Sequence, residues 1–132
     1  MITEALIQKC LEYFAEHYPD CGNYINASQL WESSGHSVAA MLEHDDADYW
    51  RYHAACDVTG LAPAQRWALV RDIRDEGWRC HAACFVPDLA PARRWELVRD
   101  IQSEDWRYYA ADYVPGLTAK RRAELREAKC SG

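Results

Sequence analysis

WRYHAACDVTGLAPAQRWALVRDIRDEG, from Trp50 to Gly77, is followed without a gap by WRCHAACFVPDLAPARRWELVRDIQSED, from Trp78 to Asp105, and then by WRYYAADYVPGLTAKRRAELREAKCSG, from Trp106 to Gly132. The period is 28 residues, and the first two copies agree at 19 of 28 positions. A fixed period of this length means supersecondary units that stack, each burying a face that its neighbour supplies. Within a unit the spacing predicts two short helices. Trp50, Ala54, Val58 and Leu61 fall on one helical stripe, and the stripe recurs as Trp78, Ala82, Val86, Leu89 and as Trp106, Ala110, Val114, Leu117. Ala-Ala pairs at 54–55, 82–83 and 110–111 let adjacent helices approach closely. Gly60, Asp88 and Gly116 mark a turn, which Pro87 and Pro115 enforce. Pro63 and Pro91 stand in the first turn of the second helix, where a missing N–H costs nothing. That helix, roughly 63–74, buries Leu69, Val70 and Ile73, and the next copy does the same with Leu97, Val98 and Ile101.

Outward from the repeats, the pattern fades at both ends. The third copy has Ala123 for Trp67 and Trp95, Arg126 for Val70 and Val98, and Ala128 for Asp72 and Asp100, the polar outer face of a terminal cap. Upstream, HSVAAMLEH (36–44) places Met41 and Leu42 in register with Leu69 and Val70, so 36–49 reads as a degenerate repeat. Residues 2–18 form an amphipathic helix with Ile2, Leu6, Cys10, Tyr13 and Phe14 on its apolar stripe, ending before Pro19. Asn26 or Ser28 can cap a short helix through Leu30 and Trp31. The expected organisation is one domain: an acidic amino-terminal helical cap (1–35), a degenerate repeat (36–49), and repeats at 50–77, 78–105 and 106–132.

Composition bounds the class. With 132 residues, 49% hydrophobic and 27% charged, the chain is of soluble globular type, with no apolar run near the roughly 20 residues that span a bilayer. The first residues lack the pattern of a secretory signal, so the expected location is cytoplasmic. Of the six cysteines, Cys56 and Cys84 share one repeat position and Cys80 stands for Tyr52 and Tyr108, so they read as free thiols rather than a disulfide framework. Net charge is −6 and uneven: residues 1–49 carry one lysine against nine acids, whereas the repeats carry 14 Lys and Arg against 12 acids. That balance disfavours nucleic acid and suits a basic partner.

The stretches DADYWRYHAACDVTGL, DEGWRCHAACFVPDL and SEDWRYYAADYVPGL share an acid, a hydrophobe followed by Arg, an Ala-Ala pair, a turn and a second helix. This pattern resembles the HEAT-like repeat family, particularly the short form of phycobilisome-lyase-type proteins, over about residues 36–130. Trp stands here where that family usually has Val. The resemblance implies an all-α, right-handed αα-superhelix, a HEAT-like solenoid of about eight short helices. HEAT-like folds host scaffolds, inhibitors, lyases and DNA glycosylases, so fold does not specify function.

Four sets of residues are candidates for function. Arg51, Arg79 and Arg107 are expected to tie neighbouring units through Asp48, Glu76 or Glu104. Trp67 with Arg71 and Trp95 with Arg99 share a face at i and i+4, so each guanidinium can lie on its indole, with Arg66, Arg94 and Arg122 running beside this ladder. These seven second-helix residues are the expected partner-binding site, since Trp and Arg are enriched at binding hot spots. His53, His81, Cys56, Cys80 and Cys84 have zinc-ligand chemistry, but Tyr109 and Asp112 replace them in the third copy and no CxxC occurs, so packing is preferred and no metal or other cofactor is expected. Ser33, Ser34 and Ser37 near His36 have no nucleophile elbow, and Asp72 and Asp100 repeat with the scaffold. No catalytic residue is expected.

The sequence thus points to a non-catalytic module that binds a protein partner on a concave helical face, as a cellular scaffold or as a small mobile-element inhibitor of the anti-CRISPR or immunity type. A nucleic-acid-processing enzyme akin to the HEAT-like glycosylases is the different-class alternative. Specificity is expected where the copies differ, at Tyr52/Cys80/Tyr108, Asp57/Phe85/Tyr113, Gln65/Arg93/Arg121 and Ala68/Glu96/Glu124, all expected to be mostly exposed. Exposed aromatics such as Phe85 and Tyr113 also allow a homodimer.

Overall fold

The computed structural model describes residues 1–127, apart from the side chains of 23–25, and among these residues the chain is all-helical, with nine α-helices and no strand. They are α1 (Glu4–His17), α2 (Gly22–Ser33), α3 (Val38–Glu43), α4 (Ala47–Asp57), α5 (Pro63–Val70), α6 (Glu76–Phe85), α7 (Pro91–Val98), α8 (Glu104–Tyr113) and α9 (Ala119–Arg126). Each 28-residue unit supplies one pair: α4 packs on α5, α6 on α7, and α8 on α9. Between units, α4 packs on α6 and α6 on α8, while the second helices α5, α7 and α9 are held to one another less closely. Alanines explain the difference. Ala54, Ala55, Ala82, Ala83, Ala110 and Ala111 are all buried, and a methyl side chain lets helix axes approach where a larger one would separate them.

Caps delimit the elements. Thr3 Oγ1 accepts from the Leu6 N–H at 3.2 Å to start α1, and Ser37 Oγ accepts from Ala40 at 3.2 Å to start α3. Pro63 and Pro91 open α5 and α7. The turns between paired helices need a left-handed residue: Gly60 and Gly116 have φ of 78° and 77°, and Asp88 occupies the same position at 61°.

First helices begin two or three residues ahead of the tryptophan, at Ala47, Glu76 and Glu104, close to the start expected near Asp48 and its equivalents. Two other boundaries differ from the sequence reading. Second helices stop at Val70 and Val98, because the following backbone is captured by the first helix of the same pair. The Asp48 carboxylate accepts from the Arg74 and Asp75 N–H groups at 3.2 and 2.9 Å, and Glu76 accepts from those of Gln102 and Ser103 at 2.7 and 3.2 Å. Finally, α2 is longer than expected and packs on both α3 and α4. Substitution by Ala128 lies outside the described residues.

Gly77 sits at a close inter-unit contact. A Cβ there would stand 2.9 Å from Cζ2 of Trp106 and 3.1 Å from Asp75 Oδ1. An alanine would gain at most about 1 kcal/mol of helix propensity, against roughly 1–3 kcal/mol for overpacking a rigid indole. Gly77→Ala is therefore expected to lower stability by about 1 kcal/mol or more, read as a reduced urea midpoint. A raised midpoint would show that the α6–α8 contact is slack.

Candidate functional site

Two faces of the helix pairs carry chemistry-bearing side chains, and the structure uses them differently. On the second helices, Arg66, Arg94 and Arg122 turn back to the first helix of their own unit. Arg66 Nη1 donates to Ala55 O at 2.5 Å, Arg94 Nη1 to Ala83 O at 2.7 Å, and Arg122 Nη1 to Ala111 O at 2.6 Å. Arg94 Nε also donates to Leu89 O at 3.1 Å and Arg122 Nη2 to Val114 O at 2.8 Å. These three arginines, expected at the partner site, cap the carbonyl ends of α4, α6 and α8, where cations are favoured. Burial pulls the Arg94 guanidinium below its usual pKa, with Cys84 and Asp88 opposing.

The Trp–Arg ladder exists with different partners. The guanidinium carbon over Trp67 belongs to Arg93, 5.2 Å from the ring centroid, and that over Trp95 belongs to Arg121 at 5.3 Å. The covering cation thus comes from the next unit. Arg71 is exposed and lies 3.9 Å from Asp72, and Arg99 is exposed on the corresponding turn. Helical spacing made Trp67 and Arg71 neighbours on one helix, but the adjacent unit reaches the indole face first.

The arginines after each leading tryptophan do not pair with Asp48, Glu76 or Glu104. Arg51 Nε donates to Leu69 O at 2.7 Å, and Arg79 pairs with Asp100 at the end of its own second helix. Arg107 is buried and its Nε has no hydrogen-bond partner. Ser34 Oγ donates to Trp31 O at 2.6 Å and His36 lies 3.0 Å from Glu32 while stacking on Trp31, so the serine-rich turn is occupied with shaping itself.

The first helices carry what the sequence reading passed over as packing. Tyr49 and Tyr52 of α4 meet Trp78 of α6 at centroid distances of 5.1 and 5.3 Å. Trp78 meets His81 at 5.7 Å, and His81 stacks on Tyr109 of α8 at 5.7 Å and 19°. The line continues from Tyr109 to Tyr113 at 4.7 Å, while Phe85 flanks His81 at 6.0 Å. His81 Nδ1 donates to Gly77 O at 2.8 Å, which fixes the ring within this line. Its outer members are open: Phe85 is 55% and Tyr113 63% exposed. Carboxylates border it, Asp57 at 3.6 Å from His53 and Asp112 at 2.5 Å from Arg126. Recurrence of rings at Tyr49/His53, Trp78/His81/Phe85 and Trp106/Tyr109/Tyr113 was the available signal.

Of the variable positions, Phe85, Tyr113, Glu96 and Glu124 are exposed, but Tyr52, Cys80 and Ala68 are buried. Tyr52 and Cys80 lie where the next unit packs, and Tyr108, with no described unit beyond it, is 40% exposed. Among the described residues no three His, Cys, Asp or Glu side chains form a group that could hold a metal ion. No helix among them is long and apolar enough to cross a membrane. Comparison of the chain with family models, curated proteins and solved structures returns no match.

Two measurements check this geometry. A double-mutant cycle on Trp67→Ala and Arg93→Ala is expected to return a coupling of about 0.5–1 kcal/mol in chemical denaturation, and the Trp67/Arg71 cycle close to none. The thiols offer the second. The neighbouring Cys80 thiol lowers the Cys84 pKa against burial, whereas burial pushes Cys56, at the same repeat position, up to about 11. At about pH 8 Cys84 therefore carries more thiolate, and mass spectrometry after brief alkylation is expected to find it modified ahead of Cys56.

Proposed function

We propose that the chain is a HEAT-like αα-repeat module, a right-handed superhelix that binds a protein partner and performs no chemistry of its own. The observation that carries this reading is the unbroken aromatic line across three successive first helices, ending in the open rings of Phe85 and Tyr113. Large, rigid aromatic side chains supply contact area at little entropic cost, and they dominate binding hot spots. Closer packing of the first helices than of the second would bend the stack toward the first-helix side. On this reading the recognition surface is the inner face built by α4, α6 and α8, and the second helices lie outside it.

The partner's chemistry follows from the border of the line. Asp57 and Asp112 flank the rings, and the chain as a whole carries −6. A protein segment bearing Lys or Arg is complementary to that surface. Single-stranded nucleic acid also stacks on aromatic platforms, but it requires a cationic track for its phosphates, and carboxylates stand there instead. The same reasoning disfavours a glycosylase-like enzyme.

The test is to compare variants for capture of the protein partner from the source cells, each variant having first been matched to the parent by circular dichroism. Phe85→Ser with Tyr113→Ser is expected to weaken the interaction at least about tenfold, since two central aromatic anchors carry that much or more. Trp67→Ala with Arg71→Ala is expected to leave it within about threefold. The reverse pattern would return recognition to the second helices and overturn the proposal.

A further inference from the structure

Between the amino-terminal cap and the first repeat the structure has a cleft of about 700 Å³ that no helix fills. One side of it is apolar, with Ile2 from the chain start, Val38 and Leu42 from α3, and Ala68 from α5, while Glu43, Arg71, Asp72 and Arg74 supply charged side chains to the rest. Into this cleft faces Arg51, whose residue exposure is only 4%. Its Nε is held by Leu69 O at 2.7 Å, but among the described residues its two terminal nitrogens have no hydrogen-bond acceptor. At the corresponding position one unit on, Arg79 is paired directly with Asp100. The equivalent acid beside Arg51 is Asp72, and that carboxylate turns outward to Arg71 at 3.9 Å. Arg74, at the rim, leans on the carbonyls of Leu42 and Glu43 at 3.5 Å each. Burial together with the neighbouring Arg74 charge pulls the Arg51 guanidinium below its ordinary pKa, against the pull of Asp72 and Asp48. At the base of the cleft this guanidinium, with Asp72 and Asp48 acting on its charge, keeps terminal donors open to a further anion.

We infer that this cleft binds an apolar monocarboxylate, its carboxylate on the terminal nitrogens of Arg51 and its hydrocarbon part along Ile2, Val38, Leu42 and Ala68. The volume lies in the range of small-molecule sites, and an apolar wall with one convergent charged group is their usual construction. Glu43 and Asp72 at the rim disfavour a dianion such as a phosphate ester, whereas a single carboxylate needs only the one guanidinium. The same chemistry is offered by a free medium-chain carboxylic acid and by the carboxylate of a polypeptide ending in Leu.

Both sources are tested by titrating the isotope-labelled chain with decanoate, with decan-1-ol, and with an N-acetylated pentapeptide ending in Leu as free acid or amide. Decanoate, the peptide acid or both are expected to shift the amide resonances of Val38, Leu42 and Ala68, and which one does so identifies the source. Decan-1-ol and the peptide amide are expected to bind at least about tenfold more weakly, the loss that follows from removing a charge-assisted hydrogen bond. Arg51→Gln is expected to abolish that preference for the acid. Because Arg51 is buried, Ala39→Trp provides a second variant: Ala39 is exposed on the cleft wall, and an indole there is expected to weaken decanoate at least about tenfold while leaving the fold intact. No perturbation by either carboxylate up to millimolar concentration would overturn the site. So would equal binding of acid and neutral analogue, or shifts centred on the α1–α2 cleft around Phe14 and Gln29.

Discussion

A guanidinium, buried at Arg66 and half-buried at Arg94 and Arg122, joins the two helices of every pair, and the remainder of the structure depends on it. Arg66, Arg94 and Arg122 each reach across to an alanine carbonyl near the end of the first helix of their own unit, at 2.5 to 2.7 Å. Two needs are met at once. The last carbonyls of a helix lack intrahelical donors, and a cation placed there is favoured by the helix dipole. The side chain that does this must be long enough to leave α5, α7 or α9 and planar enough to thread between helices, which lysine is not. Once the pair is set, the first helix offers its Ala-Ala surface to the next unit and its leading acid to the next turn. Asp48 and Glu76 then hold two backbone amides each, so every inter-unit turn is positioned by the unit before it.

Much of this was legible in the sequence because the physics is local. Proline at 63 and 91, the left-handed position at 60, 88 and 116, and apolar residues at helical spacing each act within a few residues, so pair boundaries follow directly. What was not legible is contact between units. Helical geometry places Arg71 beside Trp67, yet Arg93 lies over that indole, because the packing of α5 against the neighbouring pair decides which cation arrives. The acid in each first turn likewise looked like a partner for the following arginine. A carboxylate near two unsatisfied amides of a turn is better used there, since those amides would otherwise lose their water without replacement.

The same distinction governs the variable positions. A residue that differs between copies is exposed only if no unit stacks on it. Tyr52 and Cys80 differ because each meets a different neighbour, Trp78 in one case and the Trp106 carbonyl in the other. Variation there records adjustment of the stack rather than recognition. At Asp57, Phe85 and Tyr113, at the far ends of the first helices, no unit is laid down and variation reaches the surface.

The two aromatic systems therefore differ in what they can give a partner. On the second helices, Trp67 and Trp95 are half-buried already, and each has its ring face covered by an arginine of the next unit. Docking there would have to displace a cation–π contact of about 0.5–1 kcal/mol before gaining any apolar burial. On the first helices the inner rings pack against one another in tilted and stacked pairs, and Phe85 and Tyr113 retain more than half of their surface. Burying apolar area at about 25 cal/mol per Å², two such rings contribute several kcal/mol without first breaking an internal contact. The line of rings beneath them, from Tyr52 through Trp78, His81 and Tyr109, gives each a ring to rest on, His81 for Phe85 and Tyr109 for Tyr113. A surface that is open and apolar is where association costs least, and on the proposed reading that surface belongs to the first helices.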